Sequence, residues 1–366
     1  MDAGWSPFWG LAILVPVVCL LAMLAFAVAP SARRTDPPPD TDFDPEEEPP
    51  RAPTQAQARG HLLTGVLLAV AVAAAMLGCA VYVAGDYGLP LMVGTPIVMG
   101  MILAVVRHDP TDGSTSLLWS SVLALLACGG LLLVFGLEGV FCIVMVAPLA
   151  LPLTFAGALI GRGILRAAHR PRRQIGVAVL LLPIWLSVDA ASGAVAPVHA
   201  VCTSIDIDAP IETVWRTVIA FPELPEPEEW VFRAGIACPI GATIEGRGVG
   251  AVRRCEFTTG TFVEPITAWE EPTRLAFDVT QQPAPMFELS PYHDLHPPHL
   301  DGTLRSLRGE FRLERLPGAR TRLHGTTWYQ VEMFPQAYWV LWSDWLIGAI
   351  HRRVLRHVAR VAKERR

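Results

Sequence analysis

Between Gln281 and Gly302 the chain reads QQPAPMFELSPYHDLHPPHLDG. His293, His296 and His299 recur at every third residue there, with Asp294 and Asp301 beside them. Imidazole is the commonest protein ligand of zinc and its neighbours, so three on one side of a chain would hold a divalent ion. Pro297-Pro298 favours polyproline II, whose three-residue period brings such a trio together. The plainer readings are a polar surface loop, or a lid whose histidines cap the mouth of a cavity. The lid is the expectation for His293, His296 and His299, with metal binding as the alternative.

A second set, Arg253, Arg254, Glu256 and Glu264, falls on two runs that face one another as strands. Opposite charges across a strand pair suit ion pairs on a wet surface. One of them turned inward would instead be a polar anchor or an acid–base group. Surface pairing is the expectation. His324 and Tyr329 are ring-bearing strand residues expected to pack rather than react. Cys202, Cys238 and Cys255 are odd in number and form no CxxC, which argues against a thiolate zinc site. A Cys238–Cys255 disulfide stays open. No Ser-His-Asp set, phosphate loop or HExxH pattern occurs. No catalytic residue is therefore assigned and no cofactor is implied.

The elements that must position these residues divide the chain in two. Of the 366 residues, 52% are hydrophobic and only 17% charged, against roughly 25% charged in an ordinary soluble domain. With a mean hydropathy of +0.40, one water-soluble core cannot hide this much apolar surface. A net charge of −5 excludes a nucleic-acid binder driven by bulk charge. Six apolar stretches precede position 197: Phe8–Ala29, Leu62–Ala84, Leu89–Val106, Leu117–Leu137, Gly139–Ile160 and Ile175 to about Pro197. A bilayer core needs about 20 residues of helix. The sixth stretch is interrupted by Asp189, whose cost falls near an interface. Residues 1–30 are thus a first transmembrane helix, 31–60 an acidic Pro-rich linker, and 61–197 five further helices. The linker (TDPPPDTDFDPEEEPP) is too polar to order itself.

Arginines gather in alternate connections: Arg33, Arg34, Arg51 and Arg59, then Arg107, then Arg162, Arg166, Arg170, Arg172 and Arg173. The connections at Gly85–Gly88 and Glu138 carry none. The positive-inside rule makes the arginine connections cytoplasmic. Six crossings then put the C-terminal domain outside; it is cytoplasmic if the sixth stretch does not cross. Few ionisable residues fall inside the spans, which points to an anchor or scaffold rather than a transport path. Pro148 and Pro152 are placed to kink the fifth span, and Gly129-Gly130 to allow close helix packing.

From residue 198 to 366 the pattern is that of one α+β domain. Val201–Ala209 reads as a strand, with Asp208 as N-cap of a helix carrying Ile211, Val214, Trp215 and Val218 on one face. LPEPEEW is a loop or a short second helix. Strands follow, the clearest being LRGEFRLERL. There Leu307, Gly309, Phe311 and Leu313 alternate with Arg308, Glu310, Arg312 and Glu314, so one face is buried and one wet. From about Pro335 a long helix carries Trp339, Trp342, Leu346, Ile350, Val354 and Val361 as one stripe. Its first half is apolar nearly all round. Tyr338, Leu341 and Trp345 on its back are therefore membrane-contact candidates, with the basic end meeting anionic headgroups.

IDIDAPIETVWRTVIAFPELPEPEEW, GVGAVRRCEFTTGTFVEPITAWEEPTRLAFDV, RLHGTTWYQ and the final helix resemble the START-like polyketide cyclase/dehydrase and lipid-transfer superfamily (SRPBCC, helix-grip fold). The resemblance covers nearly all of the second half and none of the first. It implies a curved antiparallel sheet gripping a long C-terminal helix, with an apolar cavity between them, and it carries no shared catalytic motif. The cavity candidates are Phe277, Phe311, Tyr329, Trp339, Trp342 and Leu346. The expected function is a membrane-anchored domain that binds a hydrophobic small molecule or lipid, for carriage, presentation or sensing. The bilayer and that ligand are its expected partners. The alternatives are a cyclase/dehydrase-like enzyme and a protein-interaction module with a vestigial cavity.

Overall fold

The computed structural model describes residues 55–107, 113–167, 171–191, 195–292 and 295–365. The first expected span, most of the acidic linker and His293 lie outside the described residues. The chain divides into two compact units. Among the described residues, one comprises those within 55–135 and 143–191, the other those within 136–142 and 195–365.

The first unit is helical. Helix α1 (Gln55–Leu77) runs on through a π-helical stretch, Gly78–Ala84. A second π-helical turn, Pro90–Gly94, leads into α2 (Thr95–Arg107). Helices α3 (Ser114–Val134), α4 (Val140–Ala167) and α5 (Pro171–Ala191) follow. Among the described residues, four stretches are long and apolar enough to cross a membrane: Arg59–Ala84, Pro90–Arg107, Ser114–Val134 and Val140–Ala167. The shortest has 18 residues, about 27 Å of helix and close to a hydrocarbon thickness of ~30 Å. The apolar part of α5, Gly176–Asp189, is shorter than these four. Trp119, Leu126 and Val134 on α3 and Leu181, Ile184 and Val188 on α5 are exposed. Such side chains suit lipid tails and not water.

Of the pair the sequence suggests, Gly129 packs closely, since a Cβ there would lie 3.2 Å from Ile143 Cγ2, but the tightest helix contacts fall at other glycines. A Cβ at Gly100 would lie 1.9 Å from Thr154 O, and one at Gly157 would lie 2.0 Å from Ile97 O. Backbone meets backbone there between α2 and α4, which only Gly permits. A Cβ at Gly130 would meet nothing within 4 Å. Asp189, the charge that interrupts the last apolar stretch, accepts the Leu89 N–H at 3.1 Å.

The second unit contains a seven-stranded antiparallel sheet: β1 (His199–Ile207), β2 (Pro239–Glu245), β3 (Val252–Phe257), β4 (Gly260–Glu270), β5 (Arg274–Asp278), β6 (Leu304–Leu316) and β7 (Arg320–Val331). The spatial order is β1-β7-β6-β5-β4-β3-β2, so the N-terminal strand crosses to the far edge beside β7. Helices α6 (Ile211–Ala220) and α7 (Trp230–Arg233) lie between β1 and β2 in the chain, and α8 (Gln336–Glu364) follows β7. One core gathers Ile207, Val214, Trp215, Leu275, Leu323 and Val358 from both helices and sheet.

Three local expectations change. Pro210, not Asp208, is the N-cap of α6; Asp208 instead lies 3.3 Å from Lys363 on α8. Arg353, within the basic end of α8, is not on its wet side: it is buried and pairs with Glu229 at 3.3 Å. A bulge between Ser306 and Arg308 resets the alternation of β6. In consequence Leu304 and Ser306, rather than Leu307, join Gly309 and Phe311 on the inner face.

Candidate functional site

A curved sheet cannot lie flush on a straight helix, and the gap between them here is a cavity of about 150 Å³. Its walls come from β3 to β7, from α8 and from the segments around Ile236 and Pro283. Phe262, Phe277 and Phe311 on the sheet face Leu346, Ile350 and Val354 on α8. A volume of this size matches one that holds a benzene molecule, and it is smaller than the roughly 300–1,000 Å³ of pockets for drug-sized ligands.

Two polar pairs interrupt the apolar wall. Arg253 and Glu264 are directly opposed in the β3–β4 register. Alternation sends both inward, and Arg254 outward to an exposed pair with Glu245 at 2.9 Å. The expected surface pairing therefore holds for Arg254 but not for Arg253 and Glu264, which are 3% and 5% exposed. Arg253 Nη1 donates to Glu264 Oε2. The guanidinium also lies over the rings of Phe221, Phe277 and Phe311, 5.0–5.8 Å from their centroids. Weakly hydrated and planar, it tolerates such a ring-lined site better than an ammonium would. Burial pushes the Glu264 carboxyl above its ordinary value, while Arg253 pulls it back. Arg253 Nε is buried without a hydrogen-bond partner.

The second pair is Thr327 on β7 and His351 on α8, with Oγ1 and Nε2 2.8 Å apart. Burial, reinforced by Arg352, lowers the His351 imidazole to about 4. It is neutral at pH 7, and its buried Nδ1 has no hydrogen-bond partner. A base this weak is poorly matched to proton transfer near neutrality but well suited to hydrogen bonding. The sequence reading does not single out His351. A signal is present all the same, since it lies three residues before Val354 and beside Ile350, on the stripe that faces the sheet.

Of the residues marked in the sequence, Phe277, Phe311 and Leu346 line this cavity. Tyr329 is wholly buried elsewhere, and its hydroxyl donates to Asp344 at 2.7 Å. Trp339 is buried with its indole N–H on Phe334 O at 3.2 Å. Trp342 packs edge-on to Trp345. None of these three lines the cavity. His324 lies on the outer face, 3.7 Å from Glu314. Cys238 and Cys255 are both buried free thiols, so the disulfide is not formed.

Of the lid candidates, the two among the described residues, His296 and His299, have different surroundings. His296 is exposed and pairs with Asp301 at 2.9 Å. His299 starts no polyproline run; it lies in a 3₁₀ turn, Pro298–Leu300, is buried, and meets Cys142. Neither lines the cavity. On the back of α8, Leu341 is 69% and Trp345 38% exposed, while Tyr338 is half-buried. Trp230 of α7, 65% exposed, stands 6.0 Å from Trp345 and enlarges that patch.

Residues 198–330 match the family model for polyketide cyclase / dehydrase and lipid transport. That match falls within the second unit and supports an SRPBCC domain in the C-terminal half of the chain. Among solved structures, the SRPBCC domain is similar to a START superfamily protein from Mycobacterium smegmatis. That match has 13% identity and a TM-score of 0.30, covering 46% of this chain and 99% of that one. It is also similar to the Zhui aromatase/cyclase from Streptomyces sp. R1128, at 16% identity and TM-score 0.28, covering 46% and 96%. A protein from Nitrosospira multiformis matches at 20% identity and TM-score 0.29, covering 46% and 100%. No curated protein matches the chain.

Proposed function

We propose that the protein is a membrane-anchored binding module whose SRPBCC domain captures a small, mainly apolar molecule bearing a hydrogen-bonding oxygen. The observation that carries this reading is the apolar cavity whose lining includes Arg253 and His351, each of which holds a buried nitrogen without a hydrogen-bond partner, Arg253 Nε and His351 Nδ1. An apolar body satisfies the phenylalanines, and an oxygen meets the orphaned polar atoms, as in most small-molecule sites. At about 150 Å³ the cavity suits one ring or a short chain. A whole lipid would need the walls to part. The buried Glu264 beside Arg253 supports a second reading, a cyclase/dehydrase-like enzyme, in which the carboxyl moves a proton.

Six crossings, with the SRPBCC domain outside, remain our proposal for the topology, on the strength of the arginine asymmetry. Trp230, Leu341 and Trp345 are proposed to rest on the bilayer surface.

Native mass spectrometry of the detergent-solubilised chain, offered single-ring phenols, ketones and long-chain lipids, tests the ligand. A discrete adduct with a ring compound is expected, and it should vanish in Ile350→Trp, which fills the cavity. No adduct with any compound would overturn the binding reading. Turnover of a bound ketone that stops in Glu264→Gln would favour the enzyme.

A further inference from the structure

A cluster of titratable side chains lies away from the cavity. Within the second unit the segment Gly136–Cys142, which ends in the first residues of α4, packs on the loop that follows β5, and Val140 N–H donates to Leu289 O at 2.9 Å. Cys142 Sγ there lies 2.5 Å from Glu288 Oε1 and 2.9 Å from His299 Nε2. On the far side of the imidazole, Nδ1 is 3.5 Å from Glu138 Oε2. Donor atoms of Glu138, Cys142 and His299 all fall within 4.8 Å of one another. Two ligand atoms bonded at up to about 2.3 Å to one zinc ion are at most about 4.6 Å apart, and Cys142 Sγ lies inside that limit from both Glu288 Oε1 and His299 Nε2.

Charge makes the same case independently. Two carboxylates and a thiol crowd one imidazole where the Glu138 and His299 side chains are only 13% and 8% exposed. Glu138 Oε2 and Glu288 Oε2 are both buried with no hydrogen-bond partner. Unsatisfied carboxylate oxygens in a dry, like-charged pocket are costly, and a bound cation removes the cost.

We propose that Cys142 Sγ, His299 Nε2 and Glu288 form a site for a divalent cation of the zinc class, with Glu138 as the carboxylate that holds the far ring nitrogen. A thiolate, an imidazole and a carboxylate select zinc over the hard, oxygen-loving magnesium and calcium. Three protein ligands leave a fourth position for water. Glu138 at Nδ1 completes the carboxylate–histidine–metal arrangement that fixes the ring tautomer. On binding, the Cys142 S–H proton leaves to solvent and the sulfur lone pair goes to the metal. The ion would tie together residues 146 positions apart in the chain. It would stabilise that segment on its loop without touching the cavity.

The test uses the full chain in detergent, stripped with a chelator and loaded with cobalt(II) as a spectroscopic probe, or with zinc. The unmodified protein should show a sulfur-to-cobalt charge-transfer band and retain about one zinc ion per chain. Cys142→Ser and His299→Ala should each abolish the band. Cys255→Ser, which removes a different buried thiol, should keep it. Glu138→Gln should keep the band and weaken zinc binding by about 10–100-fold. No band in the unmodified protein overturns the site, and that result does not depend on any variant folding. A band that survives Cys142→Ser overturns it equally.

Discussion

Replacing His351 with glutamine should flatten the acid side of the SRPBCC domain's stability profile. In the folded domain burial and Arg352 hold the imidazole at about 4, down from 6.5. Between those two values the unfolded chain takes up a proton that the folded chain refuses. The unfolded state binds more protons there, so stability rises with pH. This contribution is fully present above about pH 6.5 and is lost as the pH falls to about 4; below that this group adds no further loss. A separation of about 2.5 pH units at about 1.4 kcal/mol each corresponds to about 3 kcal/mol. The substituted amide would keep a hydrogen-bonding group opposite Thr327 Oγ1, so at pH 7 the His351→Gln variant should lose no more than about 1 kcal/mol. The assay is urea unfolding of residues 195–366, followed by tryptophan fluorescence at several pH values between 7 and 4. His357, also lowered by burial, and Glu264, raised by burial, titrate in both proteins and cancel in the difference. The stability of wild type relative to the variant should fall by about 3 kcal/mol across this range, changing sign on the way. Parallel pH profiles for the two proteins would refute the placement of His351 in a dry wall.

Two further substitutions test packing. Glu264→Gln leaves the Arg253 cation buried among three rings without its counter-charge, and should cost about 3–5 kcal/mol; in Arg253→Met/Glu264→Leu most of that loss should return, as measured by urea unfolding. Gly157→Leu drives a side chain into the Ile97 carbonyl, so α2 and α4 must separate, and thermal unfolding of the detergent-solubilised chain should drop while an equivalent Gly130→Leu change does little.

The SRPBCC architecture was legible because its signals are local. Ile211, Val214, Trp215 and Val218 lie at helical spacing, and Gly309, Phe311 and Leu313 alternate with charges. Both patterns follow from the periods of helix and strand, which need no knowledge of a partner. Errors arose where a short insertion resets the period. The bulge at Ser306/Arg308 displaces Leu307 from the inner face, and no residue type announces it. The histidine loop misled for a related reason. Equal spacing implied one shared side, but the 3₁₀ turn at Pro298–Leu300 sends His299 inward while His296 stays in solvent.

By itself the sequence determined the partition into apolar helices and an α+β domain, the order of the strands along the chain, and the aromatic character of the long final helix. These follow from composition and period, which are properties of neighbouring residues. Only the tertiary structure decided which charges are dry. Arg253 and Arg254 are adjacent and chemically identical, yet one is 3% exposed over three phenylalanine rings and the other pairs with Glu245 at the surface. The pleat sends them to opposite faces, and which face becomes the interior depends on where α8 lands. The same holds for Cys142 and His299, 157 positions apart. Nothing local in either segment predicts that a thiol and an imidazole will meet, because their approach is set by the folding of everything between them.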